Sequence, residues 1–327
     1  MILLTADDIR SLLTMREAVE AAKEALTLHA EGTCDVPLRT NLDVPGHGGQ
    51  SLFMPAHVPQ IDAVGIKIVS VFPGNTARGL PAVPAKVVLL DAQTGEVSAI
   101  MDGTYLTALR TGAVQGAATD TLARPDARTG ALIGAGGQAR GQLEAMLATR
   151  ELTVVRVHDR DSARAQAFVT DNRELAGAYG AELVVTATAE AAVDGADVVT
   201  AVTTSPVPVL DPAALTPGVH VNGVGSYTPA MQELPASLVV SADVLAIDTT
   251  AALAEAGDLI EPITAGVLDA QRAVPLGEML AGRAPGRASA GQTTVFKSVG
   301  SAVLDVVTAH RVVQAAVAQG VGHRVEL

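Results

Sequence analysis

Residues 131–139 read Ala131-Leu-Ile-Gly134-Ala-Gly136-Gly137-Gln138-Ala139, an apolar strand that breaks at a glycine and leads into a helix. Each small residue in that string has a task. Gly134 permits the tight turn, Gly136 lets the backbone approach a pyrophosphate, and Ala139 allows close packing of helix on strand. Gly137 and Gln138 complete the turn, where the helix N-terminus offers free N–H groups and a positive partial charge. A second strand, LTVVRVHD, ends in Asp159 near the expected distance of about 20 residues. The reading is therefore a dinucleotide site. Its alternative is a glycine turn without ligand, which Ala- and Gly-rich chains also produce. Asp159 would accept hydrogen bonds from the adenosine ribose, which favours NAD(H); otherwise it is a solvated loop carboxylate. Arg160 beside it could pair with the 2′-phosphate of NADP(H), although Asp161 would oppose that phosphate. NAD(H) is preferred and NADP(H) remains open.

Working outward, strands alternate with helices after residue 129. The segment 138–149 reads as helix, 161–176 as helix and ELVVTA as strand. A short helix near 189–194 precedes the strands DVVTAV and GVHVNGVG. Such alternation predicts a parallel, doubly wound sheet. Toward the N-terminus, Thr5 with Asp7 and Asp8 opens a short helix. Thr14-Met-Arg-Glu17 is a capping box for a longer one ending at Gly32. From about Val36 to Met101 the pattern changes to SLFMP, VGIKIVSVF, AKVVLLD and GEVSAIMD, short apolar runs that predict a mostly antiparallel sheet. Residues 104–123 are helical and stop before Pro125. The last stretch, TTVFKSVGSAVLDVVTAHRVVQAAVAQGV, carries apolar residues at helical spacing. The expected layout is an α/β chain of two domains. A Rossmann domain over 119–299 is inserted into an α+β substrate-binding and dimerisation domain built from 1–118 and 300–327.

The bulk numbers agree with two cores, since 327 residues exceed the usual limit for one. With no Trp and a net charge of −13, the chain has little to stack on bases and no basic surface for phosphates, so nucleic acid is not an expected partner. No apolar run approaches the roughly 20 residues of a membrane span. The start, MILLTADDIR, has no signal-peptide pattern. A single cysteine, Cys34, forms no disulfide within the chain, and the expected setting is cytoplasmic. Cys34 is read as a partly buried thiol rather than a nucleophile. Seven scattered histidines show no metal-ligand spacing, and no GxSxG elbow is present, so neither metal nor serine-hydrolase chemistry is expected.

Two cations stand in unusual surroundings. Lys67, in VGIKIVSV, shares one strand face with Val69 and Val71, while Ile66 and Ile68 share the other. It is either an edge-strand charge reaching solvent or a desolvated amine with a lowered pKa. Arg110, in LTALRTGA, lies among small residues on a helix, where its guanidinium could grip a carboxylate; the plainer alternative is a helix-surface arginine.

Taken together, the motifs resemble the ornithine cyclodeaminase/mu-crystallin family over the whole chain. The segments that carry the likeness are FMPAH (53–57), GIKIVSVFPGN (65–75), GLPAVPA (79–85), MDGTYLTALRTGA (101–113), GAGGQA (134–139), VNGVG (221–225) and TTVFKSVG (293–300). The resemblance implies a homodimer whose first domain supplies dimer contacts and substrate site. It implies that Lys67 is the catalytic lysine and that Arg110 holds the substrate carboxylate, with Arg39 a further substrate-side arginine. Val299 and Gly300 match backbone beside the substrate, and Thr203 and Val224 match cofactor contacts.

Departures from the family pattern select among its activities. Cyclodeaminases of this family carry an aspartate in a GGDCPGK-like segment that acts in ammonia release. Here the segment is GSYTPAM, which puts Tyr227 at the aspartate and Met231 at the following lysine. Leu52 stands where a glutamate precedes the MP of the earlier segment. A phenol with pKa near ~10 cannot replace a carboxylate base at neutral pH. The expectation is therefore the reductase branch: reduction of a cyclic imino acid such as Δ1-pyrroline-2-carboxylate or Δ1-piperideine-2-carboxylate to L-proline or L-pipecolate. The alternatives are an ornithine or lysine cyclodeaminase with bound NAD, an alanine dehydrogenase-type oxidoreductase, and a binder of small ligands without turnover.

Overall fold

The structure, a computed structural model, describes residues 1–326. The chain divides into two compact units, Met1–Arg110 with Ser301–Leu327, and Thr111–Gly300. The divide falls inside the helix Gly103–Leu122 at 110/111 rather than at the anticipated 118/119, because a helix carries no composition break to mark where one core hands over to the next.

The second unit is built on an eight-stranded sheet whose neighbouring strands all pair parallel. Strand Thr129–Ile133 lies between Val198–Ala201 and Val154–His158. Its alternate residues enter different cores. Ala131 and Ile133 pack with Val199, Val221 and Val295, while Leu132 packs with Leu143, Val155 and Val157. Two apolar clusters on opposite faces are what a doubly wound sheet requires, since side-chain direction alternates along each strand. The final stretch read as helix is corrected in part. Thr294–Lys297 is a strand between His220–Gly223 and Val244–Ile247, and the helix begins only at Ala302. Every residue of that strand is buried, so its apolar run lacks the alternation that separates strand from helix.

In the first unit, the capping box at Thr14 and Glu17 opens helix Met15–Ala30, and a second box at Thr5 and Asp8 opens Ala6–Leu12. The strands Thr40–Val44, Gly49–Val58, Ala63–Val71, Ala85–Asp91 and Val97–Asp102 form consecutive antiparallel pairs, with Ile2–Leu4 added parallel to the last. One sheet face is covered by helix Ala302–Gln319, on which helix Met15–Ala30 packs in turn. Along Ala63–Val71 the buried set is Ala63, Gly65, Lys67 and Val69, so the period-2 rule delivers Lys67 to the covered face.

Candidate active site

Strand Ala63–Val71 is central, paired on both sides, so Lys67 has no edge to escape from. Its side chain is only 2% exposed, which excludes the edge-strand reading. What makes this burial tolerable is Asp305, in the first turn of helix Ala302–Gln319, where a negative charge also suits the helix dipole. One Asp305 oxygen lies 2.7 Å from Lys67 Nζ, and the other accepts from Arg110 Nε at 2.8 Å. Arg110 is buried as well, so the helix-surface reading is also set aside. Among the described residues, only Asp305 bonds the guanidinium, through Nε.

Burial first, then the Arg110 and Arg39 charges, lower the Lys67 amine, and Asp305 acts against them, so that it comes down to about 8. Lys67 and Arg110, both buried, against the single carboxylate of Asp305 leave a cationic surplus in a desolvated place. That surplus is a receptor for an anion, with an amine able to hold or release a proton near neutral pH. Asp305 was not legible from the sequence. It sits 195 positions from Arg110, inside an ordinary amphipathic pattern.

The second unit holds the glycine turn. Gly134 has φ +103°, and a Cβ there would lie 2.8 Å from the Val202 carbonyl oxygen. Gly136 and Gly137 face open space, with nothing within 4 Å of a Cβ. Among the described residues, helix Ala139–Thr149 has no side-chain cap and the buried Oε1 of Gln138 has no hydrogen-bond partner. Open glycines and an uncapped helix start, with its free N–H groups, together fit a pyrophosphate-bearing cofactor. The place is also right: the turn follows the carboxyl end of Thr129–Ile133, between strands where the winding direction reverses.

Asp159 is more engaged than a simple ribose acceptor. Its oxygens accept from the backbone N–H groups of Ala135 and Asp161, both at 2.9 Å, and Arg164 lies 3.7 Å away. It therefore braces the glycine turn, and its remaining lone pairs are what a ribose could use. Arg160 is exposed. Thr203 and Val224 follow the carboxyl ends of strands Val198–Ala201 and His220–Gly223. Val299 and Gly300 form a turn pinned by Asp248, another residue missed from the sequence. Asp248 Oδ2 accepts from Ser298 Oγ (2.7 Å), Val299 N (2.9 Å) and Gly300 N (2.7 Å). Those N–H groups are thereby committed to Asp248.

Cys34 is half-buried, and burial followed by the Glu31 charge raises its thiol pKa, which disfavours a thiolate nucleophile. Among the described residues, no group of His, Cys, Asp or Glu is placed to hold a metal ion. No helix among them is long and apolar enough to cross a membrane.

The family model for the ornithine cyclodeaminase/mu-crystallin family matches residues 1–320. A Δ1-pyrroline-2-carboxylate reductase of Bacillus cereus is 38% identical, with both chains covered completely. Among solved structures, the Δ1-pyrroline-2-carboxylate reductase of Thermococcus litoralis in complex with NADH and L-proline is 36% identical. It superimposes with a TM-score of 0.93 over 99% of this chain and 100% of its own. An archaeal alanine dehydrogenase dimer with bound NAD is 33% identical, with a TM-score of 0.90 over 100% and 99% of the two chains.

Proposed function

The chain belongs to the ornithine cyclodeaminase/mu-crystallin family, and on that premise we propose that it is an NADH-dependent reductase of a cyclic imino acid, Δ1-pyrroline-2-carboxylate first, yielding L-proline. The observation that carries the reading is the buried Lys67–Asp305–Arg110 cluster with its cationic surplus, in a chain that has Tyr227 at the deaminase aspartate position. The glycine turn at 134–137, with Gln138, Ala139, Asp159, Thr203 and Val224, would hold the cofactor, which supplies a hydride to the C=N carbon.

The rest is the work of side chains. Arg110, with Arg39, binds the substrate carboxylate, which fixes the ring and removes its rotational freedom. Asp305 holds Arg110 by Nε, so the guanidinium is oriented before substrate arrives. Lys67, mostly protonated at pH 7 with a pKa of about 8, donates a proton to the ring nitrogen. Full-length likeness to Δ1-pyrroline-2-carboxylate reductases supports the five-membered substrate over the six-membered one.

The test is a steady-state panel. NADH and NADPH would each be offered with both cyclic imines, ornithine, and alanine with NAD. Imine-dependent NADH oxidation is expected. Proline and ammonia from ornithine without net cofactor change would replace this reading with a cyclodeaminase. NAD reduction by alanine with ammonia release would replace it with an alanine dehydrogenase. Two further elements of the proposal are a preference for NADH, supported by Asp159 and Asp161 beside Arg160, and a homodimer. The dimeric archaeal relative supports the second, as do the exposed Leu42 and Ile68 on the outer sheet face. Sedimentation of the purified protein checks the dimer.

A further inference from the structure

The parallel-sheet unit contains a buried charge cluster that the proposed chemistry does not use. Glu233, Lys297 and Asp258 all have fully buried side chains. Lys297, the last residue of strand Thr294–Lys297, places Nζ 2.9 Å from Asp258 Oδ2 and 3.4 Å from Glu233 Oε1. Asp258 Oδ1 accepts from the backbone N–H groups of Glu233 and Leu234, both at 2.7 Å, which fixes where Glu233 begins. The Glu233 carboxylate then reaches two loops. Oε2 accepts from Thr203 N at 2.8 Å and Thr203 Oγ1 at 3.3 Å; Oε1 accepts from Gly225 N at 2.6 Å and Ser226 N at 3.1 Å.

Those loops follow two adjacent parallel strands, Val198–Ala201 and His220–Gly223, at their carboxyl ends. They are pressed together so closely that a Cβ on Gly225 would lie 2.2 Å from both N and O of Thr203. Buried ion pairs contribute little net stability, because desolvation consumes most of the Coulombic gain. An apolar filler would close the same space. What a filler cannot do is accept four directed hydrogen bonds from two loops and so set both backbones at one height. Ligands of open parallel sheets sit at the carboxyl ends of the strands, and Thr203 and Val224 are the residues there read as cofactor contacts.

We infer that Glu233, held by Lys297 and Asp258, is a positioning residue for the cofactor: it presets the Thr203 and Val224–Ser226 loops to receive the dinucleotide. This rests on the reading of the protein as a nicotinamide enzyme. In Glu233→Gln the side-chain shape is kept, but the amide NH2 must face a backbone N–H on one of the two loops, and that loop moves away.

NADH affinity, read by the fluorescence of the bound dinucleotide, is expected to weaken at least tenfold in Glu233→Gln. KM for the imino acid at saturating NADH should stay within twofold of the parent. An NADH affinity unchanged within twofold overturns the inference. So does a parallel loss of both affinities together with a lower melting midpoint of the cofactor-free protein, which would mark general destabilisation. Amide hydrogen exchange on the unmutated protein gives an independent test that no folding failure can spoil. Without NADH, the amides of Thr203, Gly225 and Ser226 should already be strongly protected. If they exchange like open loop amides until NADH is added, the loops are not preset and the inference fails. Should the unmutated protein bind no NADH at all, it is the nicotinamide reading that fails.

Discussion

The chemistry proposed for Lys67 depends on a proton that it holds only part of the time. Its amine titrates at about 8, so the protonated donor is abundant at pH 7 and is lost as the pH rises through that value. kcat/KM for imine reduction is therefore expected to fall tenfold per pH unit above about 8, and a profile flat to pH 10 would remove Lys67 as donor. Replacing it by Met keeps the volume and deletes the proton. A loss of roughly 100-fold or more in kcat is the expected size for a general acid. Asp305 supplies a sharper check. Its charge and hydrogen bond raise the Lys67 pKa, against burial and the two arginines. In Asp305→Asn that support goes, so the alkaline limb of the profile should move to lower pH. The variant also leaves two buried cations without their carboxylate, a change that typically costs about 3–5 kcal/mol. Urea unfolding measures that loss, and the kinetic shift is read on whatever fraction remains folded. At this scale the sequence was half legible. Lys67 drew attention as a charge inside an apolar run and Arg110 as one among small helical residues, and the roles proposed for them came from the family resemblance, but Asp305 and Asp248 could not be found. A carboxylate declares its role through what it touches, and their partners are supplied by the fold.

At the scale of elements, the glycines separate what folds the chain from what binds a ligand. Gly136 looks onto empty space, so Gly136→Ala should leave the cofactor-free melting midpoint nearly unchanged. The same methyl would stand where the backbone must approach a pyrophosphate, and NADH affinity should drop by at least tenfold. Gly225→Ala is its opposite: a Cβ 2.2 Å from the Thr203 backbone cannot be accommodated without moving one loop, so the cofactor-free protein itself should lose stability. If calorimetry ranked the two variants the other way, the assignment of open cradle and closed seam would be wrong. The strands flanking these glycines were readable where polar punctuation bounds an apolar run, as at Thr129–Ile133 and Val154–His158. Thr294–Lys297 was not, because a strand buried on both faces has no polar phase, and its charged end, Lys297, is itself buried by Glu233 and Asp258.

For the molecule as a whole, acid should be the weak side of its stability, and one residue within the parallel sheet says why. His220 is fully buried on strand His220–Gly223, with Nδ1 2.9 Å from Thr294 Oγ1 and Nε2 3.0 Å from Asn222 Oδ1. Asn222 continues the network to Thr119 Oγ1 at 3.1 Å. Burial, with Arg287 and Arg150 acting in the same direction against the Asn222 hydrogen bond, pushes the imidazole down to about 3. The folded chain thus keeps His220 neutral, whereas the unfolded chain protonates it near its ordinary value of ~6.5. Because the folded pKa is the lower one, the stability contribution is intact above pH ~6.5 and is lost progressively as the pH falls from there toward about 3. Between pH 7 and pH 5 that linkage amounts to about 2 kcal/mol, a large part of a typical domain's margin. His220→Gln retains a hydrogen-bonding side chain but cannot titrate. Its unfolding free energy should therefore change by about 2 kcal/mol less than that of the parent over the same pH interval. Equal pH dependence in both proteins would mean that the imidazole is already charged, or already hydrated, in the folded state.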